Sequence, residues 1–333
     1  MTAPLDAPGK AAEAEPEAVV AGVSGKAIQG RSLGQIAWLR LKRDKVALAG
    51  AGVVVFLILV AVFAPLIVGW FGHPPNEFHQ EMIDPSTMTP KGGSGISGEF
   101  LFGVEPLNGR DLFSRVVYGA RISLLIAFLA TVLSVVIGTV MGVMAGYFGG
   151  WVDTVISRLM DVFLAFPLLV FAIALVGVLG QFEQELGVKG DTLRIMLLIF
   201  VIGFFNWPYI GRIIRGQTLS LREREFVDAA RSLGARGPYI LFREILPNLI
   251  APILVYATLL IPTNVLFEAA LSFLGVGIQA PTATWGGMLA QAVKFYTVPH
   301  FMFFPGMAIF ITVLAFNLFG DGLRDALDPK SSR

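Results

Sequence analysis

The sequence predicts an all-α polytopic membrane protein with six transmembrane helices and both termini in the cytoplasm. Three observations predict this. First, 55% of the 333 residues are hydrophobic and only 15% are charged, where a soluble domain carries about 25% charged residues. Second, the apolar residues gather into long runs, each near the roughly 20 residues a helix needs to cross a bilayer and too long for barrel strands. Third, Lys and Arg collect in the segments that an even number of spans leaves on one side.

The amino-terminal 25 residues are rich in Ala, Pro and Glu and lack an apolar core. No secretory signal peptide is expected there, and residues 1–30 read as a disordered cytoplasmic head. A basic flank follows, with Lys26, Arg31, Arg40, Lys42, Arg43 and Lys45 against the single acid Asp44. Ile36, Trp38, Leu39 and Leu41 within it suit a membrane surface, though a plain positive-inside flank accounts for it as well.

The first span is expected at about 46–69, with Pro65 bending or ending it. Residues 31–118 then form an amino-terminal region made of this span and a long polar loop. The loop has many turn residues and few cations, as an extracytoplasmic segment should. His73 and His79 lie in it with Glu77 and Glu81. That spacing permits a metal site, but scattered loop histidines are the commoner explanation.

A core over 119–320 carries the remaining spans, at about 119–148, 154–180, 193–212, 248–268 and 301–320. Gly138, Gly142 and Gly146 recur every fourth residue, which lets another helix approach closely. Arg158 and Asp161 sit three apart near the inner end of the third span, a spacing suited to a self-satisfied pair, and Pro167 marks a kink. A short acidic outer loop is expected over 181–191. Pro252 and Pro262 interrupt the fifth span, and a cytoplasmic tail occupies 321–333. The runs themselves hold no mid-span Asp, Glu, Lys or Arg.

The loop over 213–247 is the polar island in this apolar chain. Between Arg212 and Arg243 lie seven arginines, which with the basic flank place the island and both termini on the cytoplasmic side. Ser220 and Glu223 form a capping-box pattern, predicting a helix that runs to Leu233, with Phe226, Ala230 and Leu233 on one face and Val227 alongside. Gly234 is a natural helix terminator. Gly237-Pro238 starts a second helix, expected to end at Pro247. Ala229 and Ala230 leave a low-relief knuckle beside the turn. Physical chemistry alone leaves two uses open for it, a groove in a protein partner or the membrane lipid surface.

At these residues the chain resembles a known family. Asp228-Ala229-Ala230, then Gly234, then Ile245-Leu246-Pro247 are similar to the Glu-Ala-Ala loop of ABC importer permeases, with Asp in place of Glu and a compressed terminal motif. Gly109-Arg110-Asp111, Ser114-Arg115 and Gly119-Ala120-Arg121 resemble the entry segment of the C-type permeases of the dipeptide, oligopeptide and nickel importers. There Val104-Glu105 departs from Thr-Asp. Residues 271–289, LSFLGVGIQAPTATWGGML, resemble a third family segment, with Ala280 and Ala283 replacing prolines.

The resemblance implies a type I ABC importer permease fold in a bacterial or archaeal cytoplasmic membrane. It implies partners: a B-type permease subunit, two cytoplasmic ATPase subunits and an extracytoplasmic solute-binding protein. Asp228, Ala229, Ala230, Leu233, Gly234, Ile245, Leu246 and Pro247 would be the ATPase-coupling residues. The cargo would be a peptide, with nickel chelates or glutathione as alternatives. ATP would be bound by the partner subunits, since this chain has no GxxxxGK[ST] pattern. No catalytic, cofactor or metal residues are expected here, and the net charge of +1 carries no nucleic-acid signal. Asn206, Asn264 and Asn317 are candidate pathway groups, and each equally suits an interhelical hydrogen bond. Trp285 and its loop suit either a lid below the binding protein or a packed re-entrant helix. A self-contained secondary transporter, the rival from another class, would need mid-membrane ionisable groups.

Overall fold

A computed structural model describes residues 33–175 and 191–328. The head expected to be disordered, the acidic outer loop apart from Asp191, and the tail beyond Asp328 lie outside the described residues. All the regular structure described is helical, and the only β pairing is two isolated bridges, Ile83 with Pro90 and Val104 with Asp111.

Helix α1 (Leu33–Leu41) precedes α2 (Lys45–Val62), the first span. Asp44, the lone acid of the basic flank, caps α2 by accepting from the amides of Val46 and Ala47. The helix is redirected at Phe63, and Pro65 lies in the first turn of α3 (Ala64–Phe71), where its missing N–H is harmless. A polar loop then leads to α4 (Leu112–Phe148), which is 37 residues long. That is about 55 Å at 1.5 Å per residue, well beyond the hydrocarbon thickness. Asp111 caps it, accepting from the Phe113 amide and the Ser114 hydroxyl.

The third span is not the single helix expected over 154–180. Helix α5 (Gly150–Ala165) and α6 (Leu168–Leu175) meet at a 77° bend. Pro167 sits at the break, and the residue before a proline is steered away from helical geometry. Among the described residues, five helices are long and apolar enough to cross a membrane, or six if the bent pair is counted as one span.

Helix α7 (Asp191–Arg222) contains the fourth span and continues ten residues past its expected end at 212. The capping box expected at Ser220 is therefore absent. Ser220 lies inside the last turns of α7, and the next helix, α8 (Glu225–Ser232), starts after Arg224 with no side-chain cap. The apolar run sets only where a span becomes buried; the helix persists through Arg212–Arg222 because α5 and α4 supply partners there. The arginine-rich end of α7 is held by Asp161, 2.7 Å from Arg212, and by Asp153 bound to Arg215. Asp161 thus answers Arg212 more closely than the expected Arg158, which is 3.9 Å away.

After α8 come one helical turn, α9 (Gly237–Tyr239), a wide π-helical stretch (Ile240–Ile245) and α10 (Leu246–Phe273). The second helix of the island does not end at Pro247. Its path runs on through that residue into the fifth span, with Pro247 in the first turn of α10. Pro252 and Pro262 likewise lie inside a continuous helix. In a packed span, neighbours and local adjustment re-satisfy the groups a proline frees. Helix α11 (Trp285–Ala292) is a short packed element, and α12 (Pro299–Leu327) carries the sixth span, seven residues beyond its expected end at 320.

The core is built on the α4–α7 contact. An added Cβ would lie 2.7 Å from the Trp207 carbonyl at Gly138, 2.6 Å from the Gly211 carbonyl at Gly142 and 2.8 Å from the Arg215 carbonyl at Gly146. The glycine stripe thus serves close packing, and the Ser134 hydroxyl adds a hydrogen bond to the Gly203 carbonyl at 2.8 Å. Helix α2 lies along α12 and α4, where Gly50 meets the α12 backbone.

Candidate functional site

The island folds into a knuckle with an exposed groove. Val227 on α8 is fully buried, in one cluster with Ile240, Ile245 and Leu249 of the returning chain and with Ile210 and Ile214 of α7. Burying a side chain of this size is worth about 1.5–3 kcal/mol, so Val227 pins α8 to the adjoining ends of α7 and α10. Gly234 then takes a left-handed conformation at φ +82°, which few other residues adopt. This ends α8 and lets the Ala235 amide reach the Ala230 carbonyl at 3.0 Å.

Around that turn Phe226, Ala229, Ala230, Leu233, Gly234 and Tyr239 line an open groove of about 610 Å³. Leu233 stands 89% exposed above it. Asp228 faces outward and pairs with Arg231 at 3.0 Å. The motif residues therefore divide into two sets. Asp228, Ala229, Ala230, Leu233 and Gly234 form the exposed knuckle. Ile245 is fully buried beneath it, Leu246 is half-buried, and Pro247 opens the span. The sequence reading grouped these eight together; the structure gives them contact and anchoring positions respectively.

The knuckle is tied to the spans. The Tyr147 hydroxyl at the inner end of α4 donates to the Gly237 carbonyl at 3.2 Å. The Arg222 guanidinium caps the same helix, donating to the carbonyls of Gly146 at 3.4 Å and Tyr147 at 3.2 Å. Four of the seven arginines, at 212, 215, 222 and 231, thus have partners within the chain.

Of the candidate pathway groups, Asn206 and Asn264 are brought together. The Asn206 amide donates to the Asn264 side-chain oxygen at 3.0 Å, and Asn264 donates to the Thr131 hydroxyl at 2.8 Å. This chain of bonds joins α7, α10 and α4, and Asn264 is wholly buried. Asn317 is half-buried on α12, away from that network.

Sequence reasoning missed three ions inside helices. Glu268, at the expected end of the fifth span, lies well inside α10, fully buried, with one oxygen accepting from the Ser272 hydroxyl at 2.8 Å and the other unpartnered among the described residues. Arg115 was expected in the segment before the second span and Arg121 at that span's start, and both lie in α4. Arg115 is 1% exposed; its Nε donates to Glu105 at 2.5 Å, while its Nη1 donates to the carbonyls of Pro75 at 3.1 Å and Pro281 at 3.0 Å. Arg110 pairs with the other Glu105 oxygen at 2.8 Å. Glu105, the departure from the family's Asp, therefore clamps both arginines.

Trp285 is packed rather than exposed as a lid. Its ring is 1% exposed, its indole N–H donates to the Val116 carbonyl at 3.0 Å, and its amide donates to the Ser123 hydroxyl at 3.3 Å. His73 and His79 meet edge-to-face at 4.9 Å, with His73 stacked on Phe100. Among the described residues, no group of three or more His, Asp or Glu side chains is arranged to hold a metal ion.

The chain matches the family described as "Binding-protein-dependent transport system inner membrane component" over residues 134–333. It belongs to that family. Residues 32–86 also match the "N-terminal TM domain of oligopeptide transport permease C", so α1 to α3 are a recognised extension of the permease. The "Dipeptide transport system permease protein DppC" of Alkalihalophilus pseudofirmus is 42% identical to this permease over 295 residues, covering 88% of this chain and 89% of that one. The "Glutathione transport system permease protein GsiD" of Shigella flexneri is 45% identical over 294 residues, with the same coverage. Among solved structures, the inward-facing MetNI methionine ABC transporter matches with a TM-score of 0.53 at 19% identity, covering 65% of this chain and 98% of that one. That likeness shows the fold, a type I ABC importer permease. The permease is thus a translocation subunit of the inner membrane, with five or six apolar helices.

Proposed function

We propose that this permease forms, with a B-type permease, the pathway through which an ATP-driven importer moves short peptides. An extracytoplasmic solute-binding protein delivers the cargo, and two cytoplasmic ATPase subunits drive transport, one of them docking on the α8 knuckle. The observation that carries this reading is the knuckle itself. It presents small residues and an 89% exposed Leu233 to the outside, and a fully buried Val227 fastens it to three spans. Phe226, Leu233 and Tyr239 together make an exposed apolar patch around the groove, the kind of surface that marks an interaction site. Both termini and the knuckle lie on the cytoplasmic side in this reading, following the excess of Lys and Arg there.

ATP-driven closure of the partner subunits displaces α8. Because the Val227 cluster fastens α8 to α7 and α10, Tyr147 ties the following turn to α4, and Arg222 joins α7 to α4, the displacement reorients those helices as a body and switches the pathway between outward and inward access. ATP is bound by the partner subunits, and this chain contributes no catalytic residue. Peptide cargo follows the dipeptide-permease relative; glutathione, itself a peptide, follows the other.

The test is ATP-driven uptake by the purified assembly in vesicles, with dialanine and glutathione offered as cargo. Uptake of either that requires ATP and the solute-binding protein supports the reading. Uptake driven by an ion gradient without ATPase subunits would replace it with a secondary transporter.

A further inference from the structure

Residues 100–105 form a strap over the amino-terminal ends of α4 and α12. Phe102 stacks on Phe304 of α12 at 4.0 Å and meets Phe113 of α4 edge-to-face at 5.1 Å. Phe100 and Val104 are buried, and Glu105 holds Arg110 and Arg115. The chain has three histidines, and all three grip this strap. His73 stacks on Phe100 at 4.6 Å, and His79 meets Phe100 edge-to-face at 5.0 Å. From α12, the buried His300 reaches the Val104 carbonyl with Nε2 at 3.2 Å. The strap fits closely there: a Cβ on Gly103 would lie 3.1 Å from that Nε2 and would collide with the Ser94 carbonyl.

Each histidine also has one buried ring nitrogen without a partner among the described residues: Nδ1 of His73, Nε2 of His79 and Nδ1 of His300. A carbonyl only accepts, so His300 bonds to Val104 as the neutral ring with its proton on Nε2. A second proton, on Nδ1, would be a charged donor with nothing to receive it, which is costly in a buried site. The three rings differ in what faces them. His79 has Glu81 at 3.2 Å, with Lys91 acting on the same carboxylate, and His73 has Asp111 at 3.9 Å. His300 makes no ion pair among the described residues, and the strap's own carboxylate, Glu105, is committed to its two arginines. Of the elements packed on α12, α11 carries no ion, α10 carries Glu268 enclosed beside Ser272, α4 carries Arg115 and Arg121, and the turn after α11 carries the exposed Lys294. Helices α1 and α2 bring theirs to the far end of α12, where Arg40 meets the Asp328 carbonyl and Asp44 lies by Gly322. The first turn of α12, where His300 sits, itself disfavours a cation.

We propose that this strap is released by acid, with His300 as its latch. The neutral ring holds the Val104 carbonyl. As pH falls below about 6.5, the ordinary value for a histidine, a proton on Nδ1 drives the ring out from under the strap, while His73 and His79 keep carboxylates to face. The tie is therefore complete above that value and is lost below it, because burial favours the neutral ring. With it goes one fastening between the amino-terminal ends of α4 and α12, so pH on that side of the membrane sets how firmly the two helices are joined.

The test is hydrogen exchange on the full chain in its assembly, in phosphatidylcholine nanodiscs, read as a protection factor so that the intrinsic pH dependence of exchange cancels. The strap carries suitable amides, since Val104 donates to the Ser94 carbonyl at 3.2 Å and Leu112 to the Gly103 carbonyl at 3.1 Å. Protection over residues 100–112 falls about tenfold or more between pH 7.5 and 5.0, a range in which ordinary carboxylates stay ionised, while protection in the middle of α4 holds. His300→Gln keeps a donor for the Val104 carbonyl but takes up no proton, and its protection stays flat. The proposal is overturned by flat protection in the unsubstituted chain, by an equal fall in His300→Gln, or by a fall that extends equally along α4 and α12. If His300→Gln does not fold, the double substitution His73→Gln, His79→Gln decides: a preserved fall upholds the latch at His300, and a lost one overturns it. All these outcomes are read without transport, so they stand or fall separately from the importer reading.

Discussion

The two charged regions of this permease solve opposite problems. Near the amino-terminal end of α4, Glu105, Arg110 and Arg115 are at most 4% exposed and lock a loop to a helix. At the knuckle, Asp228 and Arg231 pair in the open beside alanines and a left-handed glycine. Burial makes the first set a matter of structure, since each ion there depends on its partner. Exposure makes the second set nearly irrelevant to stability and leaves its surface free for a partner. Charge alone therefore does not mark function in this chain; the sharper signal is small, apolar and exposed residues on a firmly anchored element.

That contrast can be broken at several points. Glu105→Ala leaves two buried guanidinium groups without their carboxylate and should cost roughly 3–5 kcal/mol. Thermal unfolding of the detergent-solubilised permease should show a large loss, and an unchanged midpoint would mean that the outer cluster is not a lock. Gly142→Leu drives a side chain into the Gly211 backbone and should destabilise by about 1–3 kcal/mol. The same unfolding assay checks it, with Gly216→Leu, where the added Cβ meets open space, as the milder counterpart. Asn264→Leu removes the bonds to Asn206 and Thr131 and should cost only about 0.5–1.5 kcal/mol, since polar contacts between spans are modest. A loss in uptake far beyond that in stability would promote this network to a pathway role. Ala230→Trp should leave the unfolding midpoint nearly unchanged, because the groove is open, yet lower ATP-driven uptake about tenfold or more. Full uptake by that variant would separate the groove from coupling.

The spans, the glycine stripe and the Gly234 turn were legible in the sequence because each is a local pattern. Gly138, Gly142 and Gly146 needed only helical periodicity to be read as a packing face. Pro167 was legible as a kink but not as a 77° break, whose size depends on the helices around it. The Ser220 cap was misread because an apolar run says where a helix is buried and not where it stops. Asp161 and Asp153, from another helix, prolong α7. The end of the fifth span was set at Glu268 for the same reason, five residues short of the helix end at Phe273. The Glu105 clamp joins segments ten residues apart and also draws in Pro281, 166 residues away from Arg115. No local spacing rule connects those positions. The motif proposed the coupling residues, but their division into an exposed set around Leu233 and a buried set around Ile245 required the packing.

The central claim is that an ATPase subunit seats on the exposed side of the knuckle. A single cysteine at Leu233 in the cysteine-free chain, joined to a short cross-linker in the assembled transporter, tests it most directly. The account predicts a covalent product with an ATPase subunit, whose yield changes between the ATP-bound and nucleotide-free states. An assembly that transports normally but gives no such product in either state, or a Leu233→Cys labelled by an impermeant reagent from outside the cell, would contradict it.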